Sequence, residues 1–127
     1  MRETTAFFMK RPIAQRMKML NTFKNARKEY IPVIIHTEKD IESLSSCKYS
    51  VHEDANVHTL ITTVRKSLPD ILSTDAIYLL TDGNVEGSVL LSGSLLVREA
   101  WDSYPHKEDG FLHIKVCKEN TFGESNK

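Results

Sequence analysis

The chain has 127 residues, 40% hydrophobic and 27% charged, with 17 Lys and Arg balanced by 17 Asp and Glu. That composition fits one soluble domain with enough apolar residues for a core, and it excludes low-complexity and fibrous classes. The charge is uneven: residues 1–30 hold eight Lys/Arg against Glu3 and Glu29, a local +6, so the remainder carries −6.

A basic arm on an acidic body suits an acidic peptide, a lipid headgroup or nucleic acid, or it is simply a solvated helix face. Cys47 and Cys117 are the only cysteines. They form neither a disulfide framework nor a zinc motif, so a reducing, cytoplasmic compartment is expected. No run approaches the roughly 18 apolar residues of a membrane span, and Ala6-Phe7-Phe8-Met9 is too short for a secretory signal. Residues 10–28 are basic and free of acids, as in a transit peptide, but they also lack serine.

In chain order, Ile13, Met17 and Leu20 at helical spacing predict one or two short amphipathic helices over 10–28, interrupted near Asn21-Thr22, with Pro12 a candidate start. "IPVIIHT" (Ile31 to Thr37) is β-branched and predicts a strand, with Pro32 near its start or on an edge. Residues 38–46 read as polar loop, and "KYSVH" (Lys48 to His52) as a short strand. Asp54 or Asn56 is placed to cap a helix whose Val57, Leu60, Ile61, Val64 and Leu68 share one face, and Pro69 stops it. "AIYLLT" (Ala76 to Thr81) predicts a buried central strand, followed by a turn at Asp82-Gly83-Asn84. Residues 85–91 predict a small additional strand, and Leu95, Leu96 and Ala100 a short helix. "GFLHIKVC" (Gly110 to Cys117) alternates and predicts the last strand, with His113 as an outward residue. The order is that of a β-β-α-β-β body, a ubiquitin-like β-grasp.

Five histidines invite a metal or nucleophile reading. None has HxxxH or HxxEH spacing, and no cysteine lies in a matching motif, so neither an enzyme nor a cofactor is expected. Glu108-Asp109 and Glu119 read as solvated charge near a turn, and Arg65-Lys66 as a solvent-facing pair. The N-terminal cations lack a motif or stacking platform, so nucleic acid is not an expected partner. "ENTFGESNK" (Glu119 to Lys127) reads by itself as a frayed end, or as a cleavage point at Gly123 followed by four polar residues.

From about Phe8 to Gly123 the sequence resembles the ubiquitin-like autophagy modifier family, the GABARAP-like proteins. "IPVII" is similar to the family's proline-containing first strand and "KYSV" to its second. Val57 through "VRK" resembles its central helix, "EDGFLHIKV" and "ENTFG" its last strand and terminal aromatic-glycine, and "FMKR" its helical extension. The resemblance implies an α+β fold: a four-stranded mixed sheet with a crossing helix, plus N-terminal helices. It implies a helical extension over 1–29, a ubiquitin-like domain over 30–123 and a disposable tail over 124–127.

The function so implied is a modifier of autophagy. A processing cysteine protease cuts after Gly123, held at Phe122. Activating and conjugating enzymes then pass the glycine to phosphatidylethanolamine. The cytoplasmic protein thereby reaches the autophagosome membrane and recruits cargo receptors carrying an aromatic-x-x-aliphatic motif. The alternative is a ubiquitin-like interaction module that is never conjugated.

By position, the resemblance places an aromatic-side-chain pocket at Pro32, Ile34, Lys48, Ser50, Phe111 and Phe23. It places an aliphatic pocket at Tyr49, Val51, Ala55, Leu60 and Val64, with peptide added along the edge of Lys48 to Val51. Arg65 and Lys66 resemble a contact for the conjugation machinery. The chain departs from the pattern at Ser50 (usually leucine), Leu60 (usually phenylalanine), Ala55 and Thr63 (leucines), His52 (proline) and Tyr30 (arginine), which implies a shallower groove. An insertion around "AWDSYPH" (Ala100 to His106) reads as aromatics covering a core edge, or as a surface of its own.

Overall fold

The β-branched run Ile31–Ile35 has no polar position among its side chains, and a strand of that kind has to be covered on both faces. The computed structural model describes residues 4–37, 48–68 and 76–119. In it, β1 (Tyr30–Thr37) pairs antiparallel with β2 (Lys48–His52) and parallel with β4 (Leu112–Lys118). β3 (Ile77–Thr81) pairs antiparallel with β4, giving the order β2-β1-β4-β3. This mixed four-stranded sheet, with helices, is the ubiquitin-like fold.

Alternation divides the sheet's side chains between two layers. Ile31, Val33 and Ile35 of β1 and Leu112, Ile114 and Val116 of β4 face α3 (Val57–Lys66), which contributes Val57, Leu60 and Val64 to the same core. Asn56 caps α3: its side chain accepts a hydrogen bond from the Thr59 N–H at 2.9 Å. The helix ends at Lys66 rather than Leu68, although Leu68 remains buried. The expected stop at Pro69 and the loop at 38–46 lie outside the described residues.

The opposite face carries Ile34 and Phe111, packed with Phe8 of α1 (Thr5–Met9). The Phe8 and Phe111 rings meet edge to face, with centroids 5.4 Å apart. α2 (Ile13–Ala26) begins after Pro12 and runs unbroken through Asn21-Thr22, so the interruption falls at Lys10–Pro12 instead. The expected apolar stripe is also displaced: Ile13 and Met17 are exposed, whereas Arg16 is buried and Met19, Leu20, Phe23 and Lys24 are half-buried. The face that docks is set by what Arg16 finds in the body, described below.

Residues 85–91 form no strand. Leu90 makes one isolated bridge to Leu80, and left-handed Gly83 and Gly87 bend the chain before it. α4 (Val97–Ser103) follows, with Val97 and Ala100 buried. Trp101 and Tyr104 pack against the main core. The Trp101 indole N–H also donates to the Gly110 carbonyl at 2.8 Å, and the Lys24 ammonium of α2 lies 4.7 Å from its ring centroid. The aromatics of the insertion therefore cover a core edge and touch the helical extension. β4 starts at Leu112 because Gly110 turns left-handed, with φ at 80°.

A Cβ at Gly83 would sit 2.2 Å from Cδ2 of the buried His106, while one at Gly87 would meet nothing within 4 Å. Both glycines have positive φ. Gly83→Ala is therefore expected to lower unfolding free energy by clearly more than Gly87→Ala, whose cost is about 1–2 kcal/mol of backbone strain. Urea unfolding of the two variants checks this, and equal losses would refute the packing argument.

Candidate functional site

β2 ends the sheet on one side, so its outer backbone edge is available for pairing. Beside it α2 crosses the second face, and between them lies a cavity of about 310 Å³ lined by Met19, Phe23, Pro32, Lys48, Tyr49, Ser50 and Phe111. A shallower hollow over Gln15, Lys18 and Thr22 shares Met19, Phe23 and Lys48 with it. The geometry offers a mainly apolar cavity beside a strand edge, with Lys48 in its lining and Lys18 in the adjoining hollow.

Five of the six residues expected around an aromatic pocket come together there: Phe23, Pro32, Lys48, Ser50 and Phe111. Ile34 does not line it. One strand repeat beyond Pro32, it is fully buried under Phe8 and supports Phe111 from behind. Tyr49, expected in the aliphatic pocket, lines this cavity while packing against the main core. Val51, Leu60 and Val64 are core residues, at most 8% exposed, with Ala55 partly buried beside them. They present little open surface as a second pocket. Arg65 and Lys66 form the last turn of α3, half-buried and exposed respectively. Phe122 and Gly123 lie outside the described residues. Met19 is the lining residue that the sequence reading missed, because the stripe of α2 was drawn through Met17.

The second face holds a buried polar chain that the sequence reading also misplaced. Asp109 is 2% exposed rather than solvated, and His113 is fully buried rather than outward. Arg16 donates from its guanidinium to Asp109 Oδ2 at 2.9 Å, and Asp109 Oδ1 accepts from the Phe111 N–H at 2.9 Å. His113 Nε2 reaches the same carboxylate at 2.9 Å, and its Nδ1 meets His36 Nε2 at 2.8 Å. His106 lies against His113 with ring centroids 4.3 Å apart and the rings tilted by 43°, and its Nδ1 accepts from the Glu108 N–H at 3.1 Å. The signal was present in the alternation: β4 lies inside the sheet, so His113 on its second face is covered once helices pack there.

Each group's chemistry follows. Burial, then the neighbouring His113, lowers the pKa of His36 from 6.5 to about 4. Burial and His113 also lower that of His106. For Asp109, burial pushes upward, but hydrogen bonding and charge from His113, together with the Phe111 N–H and His106, prevail and hold the carboxyl below its ordinary value. His106, Asp109 and His113 place donor atoms within 4.8 Å of one another. Their lone pairs are already used, by backbone N–H at His106 and by Arg16, Phe111 and His113 at Asp109. The Arg16 guanidinium supplies the cation that such a cluster requires, so it reads as a structural ion-pair network.

With fold and site described, comparison with known proteins is informative. The family described as "Autophagy protein Atg8 ubiquitin like" matches residues 15–123, most of the chain. The chain belongs to the Atg8 family. It is similar to autophagy-related protein 8 of Dictyostelium discoideum, 27% identical over 114 residues and covering 88% of each chain. It is also similar to autophagy-related protein 8b of Arabidopsis thaliana, 26% identical over 126 residues and 97% of each. Among solved structures, Trypanosoma brucei ATG8 matches the fold with a TM-score of 0.78 at 24% identity, covering 91% of this chain and 95% of that one. This is therefore an Atg8-family, ubiquitin-like autophagy protein. Among the described residues no helix is long and apolar enough to cross a membrane.

The buried histidines set a pH dependence with a definite sign. His36 stays neutral in the fold down to about pH 4 but takes a proton near 6.5 when unfolded. Its contribution to stability is therefore whole above 6.5 and is lost as pH falls toward 4, at about 1.4 kcal/mol per pH unit for each such proton. His106 acts in the same direction. The expected result in urea titrations is an unfolding free energy that declines below about pH 6.5, with a smaller slope in His36→Gln. A slope unchanged by that substitution would exclude His36 as the source.

Proposed function

We propose that this Atg8-family chain is a modifier: cleaved after Gly123, conjugated through that glycine to phosphatidylethanolamine, and used on autophagosomal membranes to recruit receptors through its strand-edge groove. Membership of the family over residues 15–123 supports the conjugation half. The observation that carries the recruitment half is the cavity between α2 and the edge strand β2, with Phe23, Pro32, Phe111 and Lys48 in its lining.

The chemistry suits these residues. Glycine has no Cβ, so its carbonyl fits a narrow protease or transferase channel, and Phe122 offers an apolar hold before it. Conjugation to a two-chain lipid provides the hydrocarbon needed for stable membrane residence. An extended peptide would pair its backbone with β2 and place an aromatic side chain in the cavity, affinity coming from the ladder and specificity from the hole. The partners of this reading are the processing cysteine protease, the activating and conjugating enzymes, and receptors with aromatic-x-x-aliphatic motifs. Arg65 and Lys66 at the end of α3 are the proposed contact for the enzymes. The protein itself performs no catalysis in this scheme.

The intact mass of the protein in soluble and membrane fractions tests the first half. A soluble form ending at Gly123 and a membrane form heavier by one phosphatidylethanolamine are expected, and Gly123→Ala should abolish both. A single soluble species retaining Glu124 to Lys127 would instead favour an interaction module that is never conjugated.

Ser50 lines the cavity where the family pattern has leucine, and each missing methylene-sized contact is worth about 0.8 kcal/mol. Binding of an aromatic-x-x-aliphatic peptide is therefore expected to be weak, and Ser50→Leu to tighten it by about tenfold in a calorimetric titration. No gain in that variant would place the peptide elsewhere.

A further inference from the structure

We propose that the buried chain Arg16–Asp109–His113–His36, with His106 lying beside it, is an acid-sensitive latch that holds α2 on the sheet and so keeps the groove in its binding shape. What the latch controls rests on the groove reading above. The latch itself rests on the geometry of the second face.

The groove wall and the latch belong to one rigid element. Arg16 lies on the same face of α2 as Met19 and Phe23, at spacings of three and seven, so a movement that withdraws the guanidinium withdraws that wall. The sheet side is coupled in the same way. Phe111 lines the groove, and its N–H is held by the Asp109 carboxylate that receives Arg16. Apolar attachment of α2 is thin, because Ile13 and Met17 point outward and Met19, Leu20 and Phe23 are only half-buried. Its other anchor is Lys24, bonded to the Tyr30 carbonyl at 3.0 Å and lying over Trp101.

Proton counting shows why acid acts here. In the neutral chain each ring has one consistent N–H: His36 donates to His113 Nδ1, His113 donates to Asp109, and His106 Nδ1 accepts from backbone. One added proton is accommodated at His36 Nδ1, because the His36 Nε2–H still donates to His113 Nδ1. A second is not, because two N–H donors would then face each other at 2.8 Å. A proton on His106 Nδ1 would likewise point at the Glu108 N–H.

Among the described residues, the charged and titratable groups facing the cluster are few. They are Arg16 from α2, His36 from β1, His113 from β4, His106, Glu108 and Asp109 from the turn before β4, and Asp82 after β3, 3.9 Å from His36. α1 carries no titratable side chain. Arg16 already balances Asp109, so each further proton makes a buried cluster more positive. Release of Arg16 together with α2 removes one of those positive charges and lets water reach the rings.

The test uses the full chain, titrated from about pH 7.5 to about 4.5, the range in which histidines change charge. Backbone amide resonances of α2 and of β4 are followed together with emission from Trp101, the single tryptophan, which loses the Lys24 ammonium when α2 leaves. Affinity is measured in parallel for a capped Phe-x-x-Leu peptide without titratable side chains. The expected result is an acid transition confined to α2 and Trp101 while β4 amides persist, with affinity falling by about tenfold, the effect of one proton over one pH unit. His36→Gln and His106→Asn, which keep the neutral hydrogen bonds but cannot take the proton, should each move the transition to lower pH. Loss of α2 and β4 signals together, an α2 unmoved at the acid end, or variants with unshifted midpoints would overturn the latch. A peptide that fails to bind at neutral pH while α2 still detaches in acid would overturn the groove reading and leave the latch standing.

Discussion

The ion pair between Arg16 and Asp109 is the constraint from which the second layer of this protein follows. A helix with a continuous apolar stripe can dock in several rotations and slide along its partner at modest cost. α2 lacks such a stripe, and its side chains of fixed position are a buried guanidinium and the residues one and two turns beyond it. Removing one partner of such a pair leaves an uncompensated buried charge and typically costs about 3–5 kcal/mol, so register and rotation are set together. Once Arg16 is seated, Met19 and Phe23 fall over the sheet beside β2, and the groove exists.

The two faces of the sheet thus do different work. The face toward α3 is an apolar core built from alternate residues of β1 and β4, tolerant of exchange among aliphatic side chains. The face toward α1 and α2 mixes Phe8, Ile34 and Phe111 with a chain of ionisable groups. Polar chemistry of this kind needs every partner present, because a buried donor or charge without one is costly. Ser50, where the chain departs from the family pattern, lines the groove on that side of the sheet.

What the sequence disclosed follows the same division. β2, β4 and the central helix were legible from apolar periods of 2.0 and 3.6, and β1 and β3 from continuous apolar runs, although β3 lies at the sheet's edge and not at its centre as expected. The groove residues Phe23, Pro32, Lys48, Ser50 and Phe111 were legible only through family resemblance, since nothing in their spacing along the chain announces a pocket. Periodicity failed where burial is polar. Arg16 was one cation of a basic arm left open between an anionic partner and a solvated helix face, while Asp109 was read as solvated and His113 as outward, because single residues of these types are normally exposed. Arg16 and Asp109 pair over 93 residues, which leaves no local trace, whereas His113 meets Asp109 only four residues away and is covered by helices from the start of the chain. Ile34 was assigned to the groove by position in the family resemblance, but it is buried under Phe8 instead of lining the cavity.

The central parallel pair carries a consequence for how the chain is made. β1 is joined to β4, with Val33 opposite Leu112, so the middle of the sheet closes only when the last strand is available. On a ribosome adding roughly 5–20 residues per second, the first strands and the basic arm emerge well before their long-range partners. Contacts of such separation make folding slow relative to local helix formation. During that interval the N-terminal segment, with eight cations and the residues of both early helices, has no Asp109 to receive it. The emerging N-terminal segment is therefore a basic chain without its acidic partner until the turn before the last strand has been made.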